Sequence, residues 1–254
     1  MVRTLLKTAF LSSLFYIPLN ADFIGGELSV GVYSHTPKGY AAYDIYGMES
    51  KTSIEDTLHW TESQDLFFKA YLEHPLPVIS NIKLEYNDLS HQGSGPVSGF
   101  TWGDISDFTG DLSNKLDMHA FDVTLYYELI DNWASLDTGL TLRHVYGDIY
   151  VKAGNMFMTQ EETIDYDTWI PMIYMKGRFD VPTTDITFQA ELNAITFSSS
   201  TMYDALFTMR YTAVMGLGIE GGYRMMHLDD NELAAGLALD VDFKGPYAAV
   251  VWDF

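Results

Sequence analysis

Histidine is the first residue type to consider for chemistry, because the chain has seven histidines and no cysteine. Two histidines follow a serine, as Ser34-His35 and Ser90-His91, at the predicted outer ends of strands, where a lipid-modifying site would be expected. Adjacent residues of a strand point to opposite faces, so neither pair can form a Ser-His dyad by itself. A Ser-His-acid set assembled across strands stays open, but polarity at the strand ends explains both pairs.

The other histidines also favour structural explanations. His74-Pro75 closes a strand into a turn, whose geometry the proline fixes. His119 and Asp122 could approach His144 across neighbouring strands, but the alternation of faces places His144 on an apolar face. An interfacial position is the better interpretation of His144.

Three groups of acids could hold Ca²⁺ or Mg²⁺ weakly through oxygen ligands. They are Asp229-Asp230 with Glu232, Glu161-Glu162 with Asp165, and Asp104 with Asp107. None has the spacing of a calcium loop with its glycine and terminal glutamate, so we interpret them as solvated loops. The lack of cysteine excludes a disulfide, a thiol nucleophile and a cysteine-ligated metal. We therefore expect no catalytic residue, no cofactor, no metal site and no enzyme.

The first residues have the pattern of a secretory signal. Arg3 and Lys7 precede an apolar stretch of about a dozen residues, which is too short to cross a bilayer, and Asn20-Ala21 follows. We predict a signal peptide over residues 1–21 and one barrel domain over 22–254. Its removal would leave 12 basic against 35 acidic residues, a formal charge of −23. Such a chain repels phosphate backbones, so we expect no nucleic acid partner.

From residue 22 onward, apolar residues recur at spacing two between turn signals, which is typical of strands with one polar and one apolar face. Together with the lack of a transmembrane helix and an aromatic content of 15%, this pattern predicts an all-β, antiparallel transmembrane β-barrel. Ten strands are predicted, with eight as the alternative: residues 23–34, 65–74, 81–90, 117–129, 134–150, 167–179, 185–198, 201–213, 216–228 and 238–254.

The links between these strands alternate in length. Short turns such as "IDNW" and "VPTTD" alternate with long segments at 35–64, 91–116 and 151–166, which we predict to be solvated loops. Tight turns on one rim and long loops on the other are typical of outer-membrane barrels.

The polar face of the strands gathers basic residues that are scarce elsewhere in the chain. We predict that this face lines a narrow, charge-paired lumen, since about ten strands leave little space for water. The predicted lumen network is Lys69, Lys83, Glu85, Asp122, Glu128, Asp137, Arg143, Lys176, Arg178, Glu191, Asp204, Arg210, Glu220 and Arg224.

Several motifs resemble those of a small proteobacterial outer-membrane β-barrel family named for a Gly-Gly motif after the signal peptide. They are "IGGELSVGVY", "YLEHPLPVISNIKLEY", "DVTLYYELIDNWASLDTGLTLR", "IPMIYMKGRFDVP", "GIEGGYR" and "FKGPYAAVVWDF". The resemblance implies a Gram-negative outer-membrane location and defines no activity. We therefore expect a structural or small-solute role, with a barrel enzyme acting on lipid or peptide at the outer face, or a narrow passive pore, as alternatives.

The last strand raises a question of register. Val250, Trp252 and Phe254 share one face and resemble the signal read by the barrel-assembly machinery. The half of this strand before Gly245-Pro246 is out of phase if its apolar residues also face lipid, so we predict a β-bulge there. Outer-membrane lipids and lipopolysaccharide are the other expected partners, and we expect a monomer.

Overall fold

The computed structural model describes residues 25–44, 51–74, 76, 78–131, 133–198 and 200–254, so the predicted signal peptide lies outside the described residues. Within these ranges, the single helical element is a short 3₁₀ turn, Val214–Gly216. No helix in the same ranges is long and apolar enough to cross a bilayer. The strands are β1 (Gly25–Tyr43), β2 (Thr52–Ser53), β3 (Ser63–Glu73), β4 (Asn81–Asp88), β5 (His91–Trp102), β6 (Ile105–Asp131), β7 (Ala134–Gly154), β8 (Thr159–Asp180), β9 (Ile186–Phe197), β10 (Ser200–Thr212), β11 (Leu217–Ala234) and β12 (Leu237–Asp253).

The strands form a closed antiparallel barrel, because β12 pairs with both β11 and β1. Strands β4 and β5 pair with β6 in one unbroken register, in which Asp88 lies opposite His119 and His91 opposite Leu116. They therefore act as one wall strand interrupted at residues 89–90, while the two-residue β2 only flanks β1. The predicted ten-stranded transmembrane β-barrel is confirmed, and the alternative of eight strands is wrong.

One end of the barrel carries the short links from β3 to β4, from β6 to β7, from β8 to β9 and from β10 to β11, and we call it the turn end. At the opposite end, called the hairpin end, the strands run on well beyond the length that a membrane requires. Strand β6 has 27 residues and spans about 90 Å, whereas a membrane-spanning strand needs roughly 9–11 residues.

A band of apolar side chains covers the outside of the barrel next to the turn end. Its members are outward-facing and exposed, as expected of side chains that meet lipid. They include Leu28, Val30, Val32, Leu66, Phe68, Leu84, Leu125, Leu140, Leu142, Ile173, Met175, Phe188, Phe207, Met209, Ile219 and Val250.

Above this band the polarity of the two faces is reversed. On β7 the outward residues change from Leu142 to His144 and onward to polar positions, while the inward residues change from Arg143 to the buried Val145 and Ile149. Outward aromatic rings mark the boundary, where His144 stacks on Trp169 at 4.3 Å between ring centroids. Aromatic residues are typical of membrane interfaces, so the hairpin end beyond this level lies in water.

The predicted long loops are mostly strand in the structure, and their interpretation as loops is wrong. Residues 91–102 pair with 105–116, and the β7–β8 hairpin continues to the pair Gly154–Thr159. The segment 91–99 is rich in glycine and serine, which are typical of loops, so the sequence pattern did not predict β5. The backbone of Leu58 passes directly over Gly93, and the ring of His59 over Gly95, where any side chain would collide with this loop.

The wall separates into two facing sheets at the hairpin end. One sheet contains the upper parts of β5, β6, β7 and β8, and the other those of β2, β1, β12 and β11. The hairpin β9–β10 turns back near residues 197–200, and pairing of β8 with β9 ends at Ile173 with Ala194. Two seams therefore separate the sheets, one between β8 and β11 and one between β5 and β1.

The predicted β-bulge at Gly245-Pro246 is wrong. Strand β12 pairs with β1 in a single register from Asp253 to Leu237, and no shift occurs at these residues. Val241 and Phe243 point inward and are buried, whereas Asp240 and Asp242 face outward. The change of phase comes from the reversal of polarity above the membrane and not from an extra residue.

The first and last strands close the barrel with a tight contact at the turn end. The backbone of Gly26 exchanges two hydrogen bonds of 2.8 Å with that of Phe254, whose ring lies over the glycine. The same ring lies 4.9 Å from that of Trp252. A ring that covers a strand glycine compensates for the missing side chain.

We predict that removal of Phe254 lowers the yield of folded barrel several-fold, because it removes two seam hydrogen bonds and exposes Gly26. Folding into lipid vesicles, followed by heat-dependent gel mobility, measures this yield. His144→Ala, a change on the outward face, is the control and should fold as the parent does. Equal yields for both variants and the parent would contradict this account of the seam.

Candidate functional site

The lumen next to the turn end is filled by charged side chains. Among the described residues, six Lys or Arg and seven Asp or Glu are buried there, in a chain whose net charge is strongly negative. Twelve of the fourteen residues of the predicted lumen network have buried side chains: Lys69, Lys83, Glu85, Asp122, Asp137, Arg143, Lys176, Glu191, Asp204, Arg210, Glu220 and Arg224. The interior is thus close to neutral although the protein is acidic.

Seven of these residues form one continuous series of contacts, which we call the ion-pair chain: Asp122, Arg143, Asp204, Arg224, Glu85, Lys83 and Glu191. Arg143 donates from Nε and Nη2 to the two carboxylate oxygens of Asp122, at 2.7 and 2.6 Å. Its Nη2 also lies 2.7 Å from Oδ2 of Asp204. Arg143 therefore links two carboxylates from different parts of the wall.

The second half of the ion-pair chain runs through Arg224 to the far side of the lumen. Arg224 bridges Asp204 and Glu85, with Nη2 2.9 Å from Oε1 of Glu85. Lys83 continues from Glu85, at 2.7 Å, to Glu191. The members lie on β6, β7, β10, β11, β4 and β9, so the ion-pair chain crosses the lumen from wall to wall.

A second group lies nearer the turn end. Arg210 donates to both carboxylate oxygens of Glu27, each at 2.7 Å, and to Glu220 at 2.8 Å. Glu27 is a lumen residue that sequence reasoning missed, although the outward faces of Leu28 and Val30 would have placed it inward. Bidentate pairs of this kind fix both partners in orientation.

Aromatic rings complete the packing around the lysines. Lys176 Nζ lies 4.1 Å from the ring centroid of Tyr71, and Lys69 Nζ lies over the rings of Phe67 and Tyr247. Tyr71 in turn donates its hydroxyl to Glu191 at 2.9 Å. Ring faces attract cations, so these lysines are stabilised where carboxylates alone do not surround them.

Two predicted lumen residues lie at the rim of the turn end, outside the ion-pair chain. Arg178 is half-buried and its Nε lies 3.0 Å from Oδ1 of Asp180. Glu128 is exposed and accepts a hydrogen bond from Asn81. On β12, Val250, Trp252 and Phe254 follow the outward face as predicted from their spacing, whereas recognition by the assembly machinery stays a prediction.

The lumen above the charges is closed by a second layer of apolar side chains, which we call the upper core. It joins the two facing sheets and includes Leu116, Val145, Ile149, Met202, Leu228, Leu239, Val241 and Phe243. The segment 52–60 folds into it and buries Ile54, Leu58 and Trp60. Trp60 is held in place because its Nε1 donates to Asn114, whose Nδ2 donates to the carbonyl of Leu58.

His35 and His91, which strand parity separates from their adjacent serines, meet at the edge of the upper core. His35 Nδ1 and His91 Nε2 lie 3.1 Å apart. His91 Nδ1 lies 3.0 Å from the carbonyl of Thr61, and His35 Nε2 lies 3.0 Å from the carboxylate of Asp65. Because a carbonyl oxygen only accepts hydrogen bonds, His91 donates from Nδ1 to Thr61.

Burial, and secondly the neighbouring His35, lower the pKa of His91 to about 4, so the imidazole of His91 is neutral near pH 7. The pair joins β1 to the start of β5 and therefore holds the second seam closed beside the segment 52–60.

A small cavity of about 260 Å³ adjoins the histidine pair and is lined in part by Asp65, Ser90, His91 and Lys115. The hydroxyls near it donate to carboxylates: Ser63 to Asp65 at 2.8 Å, and Ser90 to Asp88 and Asp117 at 2.7 and 2.9 Å. Within the described ranges neither histidine is hydrogen-bonded to a serine, and no group of three or more acids and histidines is placed to hold a metal. The serine hydroxyls beside this cavity are therefore engaged with carboxylates.

Comparison with known proteins gives the fold and no family. No family profile and no curated protein sequence matches the chain. Among solved structures, the outer membrane protease OmpT from Escherichia coli aligns with a TM-score of 0.53 at 12% identity, over 94% of this chain and 99% of that one.

Two further structures align less closely. An outer membrane channel from Pseudomonas putida F1 has a TM-score of 0.41 at 10% identity, over 94% of this chain and 99% of that one. The attachment invasion locus protein of Yersinia pestis has 0.37 at 11%, over 91% and 99%. The protein is similar to outer-membrane β-barrels in architecture, and its specific role does not follow from that similarity.

We predict that Arg143→Met destabilises the barrel by about 3–5 kcal/mol, because it removes the ion-pair partner of the buried Asp122, whereas Asp204 keeps Arg224. Urea unfolding in lipid vesicles, followed by tryptophan fluorescence, measures the loss. Lys152→Met removes an exposed pair with Glu161 and serves as the control, which should unfold as the parent does. A second change, Asp122→Asn in the Arg143→Met background, should recover part of the loss; no recovery would argue against the ion pair as the cause.

The histidine pair predicts a pH dependence of stability. The unfolded chain protonates His91 near pH 6.5, whereas the folded chain resists this down to about pH 4, so stability is lost as the pH falls through this window. The loss attributable to His91 amounts to about 2 kcal/mol between pH 7 and pH 5. Urea midpoints at both pH values should differ less in His91→Gln than in the parent.

His144→Gln removes an outward histidine and provides the matched control for that titration. It should keep the full pH dependence of the parent. An equal dependence in His91→Gln and the parent would show that the buried histidine is not the titrating group.

Proposed function

We propose that the protein is an integral outer-membrane barrel with a structural role in the cell envelope and that its lumen carries no steady current. The observation that supports this most directly is the ion-pair chain, which occupies the lumen from wall to wall. A permeating ion would have to displace partners that hold each other at 2.6–2.9 Å. The upper core adds a second barrier in series, because its side chains are apolar and packed.

The orientation follows from the two ends of the barrel. Outer-membrane barrels keep tight turns in the periplasm and long segments outside the cell. The turn end, with Gly26 and Phe254, would then face the periplasm, and the hairpin end with its two sheets would stand outside the cell. Outer-membrane lipids and lipopolysaccharide would surround the apolar band, and the face of Val250, Trp252 and Phe254 would be read by the assembly machinery.

Membership of the Gly-Gly barrel family is part of the proposal. It rests on the sequence motifs and on a physical reason for one glycine of the motif. The ring of Phe254 and the carbonyl of Tyr71 both lie where a side chain of residue 26 would begin. A larger residue at position 26 would displace the ring of Phe254 from this contact.

The alternative of a barrel enzyme has less support than the structural role. The histidine pair adjoins a cavity at the hairpin end, but the nearby serine hydroxyls donate to carboxylates, and His91 is bonded at both nitrogens. We therefore propose that these residues hold the second seam and perform no hydrolysis. The narrow passive pore is the alternative that a conductance measurement separates from our proposal.

We predict that the purified protein, reconstituted into planar lipid bilayers, shows no steady openings. Its insertion is verified separately by protease protection of the barrel. A variant in which residues 52–60 are replaced by a Gly-Ser linker removes part of the upper core and should stay closed, because the ion-pair chain remains. Steady openings of the parent would overturn the proposal. Openings of the linker variant alone would show that the upper core, and not the ion-pair chain, closes the lumen.

A further inference from the structure

The two seams between the facing sheets are closed to different degrees. At the seam between β5 and β1, the segment 52–60 and the histidine pair fill the space between the sheets. At the seam between β8 and β11, only the short β9–β10 hairpin reaches upward. A cavity of about 530 Å³ opens there, within the range of roughly 300–1,000 Å³ that small-molecule sites occupy.

The wall opens at this seam for a local reason. The ladder between β8 and β9 ends at Ile173. Pro171 lies two residues before Ile173 on β8, toward the hairpin end, and has no N–H to donate. Strand β8 continues to Thr159 with β7 as its ladder partner, and its residues 168–171 border the cavity. The opening is thus part of the strand pairing and not a gap between loops.

The lining of the cavity is apolar toward the membrane band. Trp169, Ile170, Pro171, Ile195, Phe197, Met202 and Leu228 contribute to it. Trp169 belongs to the outward aromatic rings that mark the membrane boundary, and the exposed Ile173 lies just below it. A hydrocarbon chain lying in the bilayer therefore reaches the cavity without crossing water.

The water side of the same lining is acidic. Asp229 and Asp230 border the cavity, and its described lining contains no Lys or Arg. Asp229 also lies directly opposite Asp240 in the β11–β12 pair, and two like charges at such a position repel each other. A positive group at this level would offset the repulsion.

We propose that this seam binds an amphiphile from the outer leaflet, with its alkyl chain on Pro171, Ile195 and Phe197 and a cationic head group beside Asp229. The occupant enters sideways from the bilayer, between β8 and the β9–β10 hairpin. No residue of the ion-pair chain is among the described residues that line this cavity, so the proposed site does not depend on a closed lumen.

The experiment uses the lack of cysteine in the chain. A single Ser198→Cys change on the rim of the cavity carries an environment-sensitive fluorophore, with the full-length protein in phosphatidylcholine nanodiscs. Dodecylammonium, dodecanol and dodecanoate are titrated at equal total concentration. A second protein, with the same fluorophore at Thr36→Cys on β1, reports the signal that arises from partition of each compound into the nanodisc, and this signal is subtracted.

We expect a saturable signal whose affinity falls in the order dodecylammonium, dodecanol, dodecanoate. Asp229→Asn should weaken dodecylammonium binding at least fivefold, while Asp185→Asn, which removes the same charge at the turn end, should leave it unchanged. Ile195→Trp fills the cavity and should abolish the signal, and Phe197→Ala, which changes an exposed side chain, should weaken binding without affecting folding.

Two results would overturn the inference. Equal affinity for the three compounds would refute the cationic head group, and identical responses at Ser198→Cys and Thr36→Cys would refute the site. Neither result bears on the closed lumen, which the bilayer recordings test separately.

Discussion

The fold depends on compensation between charges that cannot reach water. Closing ten strands places one face of each strand in a confined lumen, and this chain fills that face with Lys, Arg, Asp and Glu. Each buried charge would cost several kcal/mol alone, so the partners must meet with good geometry. Arg143 and Arg224 meet this requirement because each bridges two carboxylates from different strands. These bridges connect strands on opposite sides of the barrel through the lumen.

The upper core is built on the same strands as the ion-pair chain. Strands β6, β7, β10 and β11 carry Asp122, Arg143, Asp204 and Arg224 in the lumen and contribute Leu116, Val145, Met202 and Leu228 to the upper core. The two facing sheets share one apolar interior even though they are joined at their edges in different ways. One edge is covered by the chain's own segment 52–60 and by the pair of His35 and His91.

The period of two made much of this predictable from the sequence. It specified the antiparallel barrel, the number of strands and the inward face of residues such as Lys83 and Asp204. It could not specify which charges meet, because partners such as Lys83 and Glu191 are separated by 108 positions and are brought together by the stagger of the barrel. The pattern also missed β5, because Gly93 and Gly95 are typical of loops. In the structure these glycines leave space for the segment 52–60 to pass over the strand.

The wrong prediction of a β-bulge at Gly245-Pro246 has a different origin, namely the reversal of polarity along β12. This reversal has a consequence for the depth of the barrel in the membrane. Strand β12 faces lipid with Ala248 and Val250 and, in the same register, faces water with Lys244, Asp242 and Asp240. Neighbouring strands change polarity at the same level, so a vertical shift of the whole barrel would immerse a ring of charges or uncover a ring of apolar side chains. The reversal of polarity therefore sets how far the two sheets stand above the bilayer.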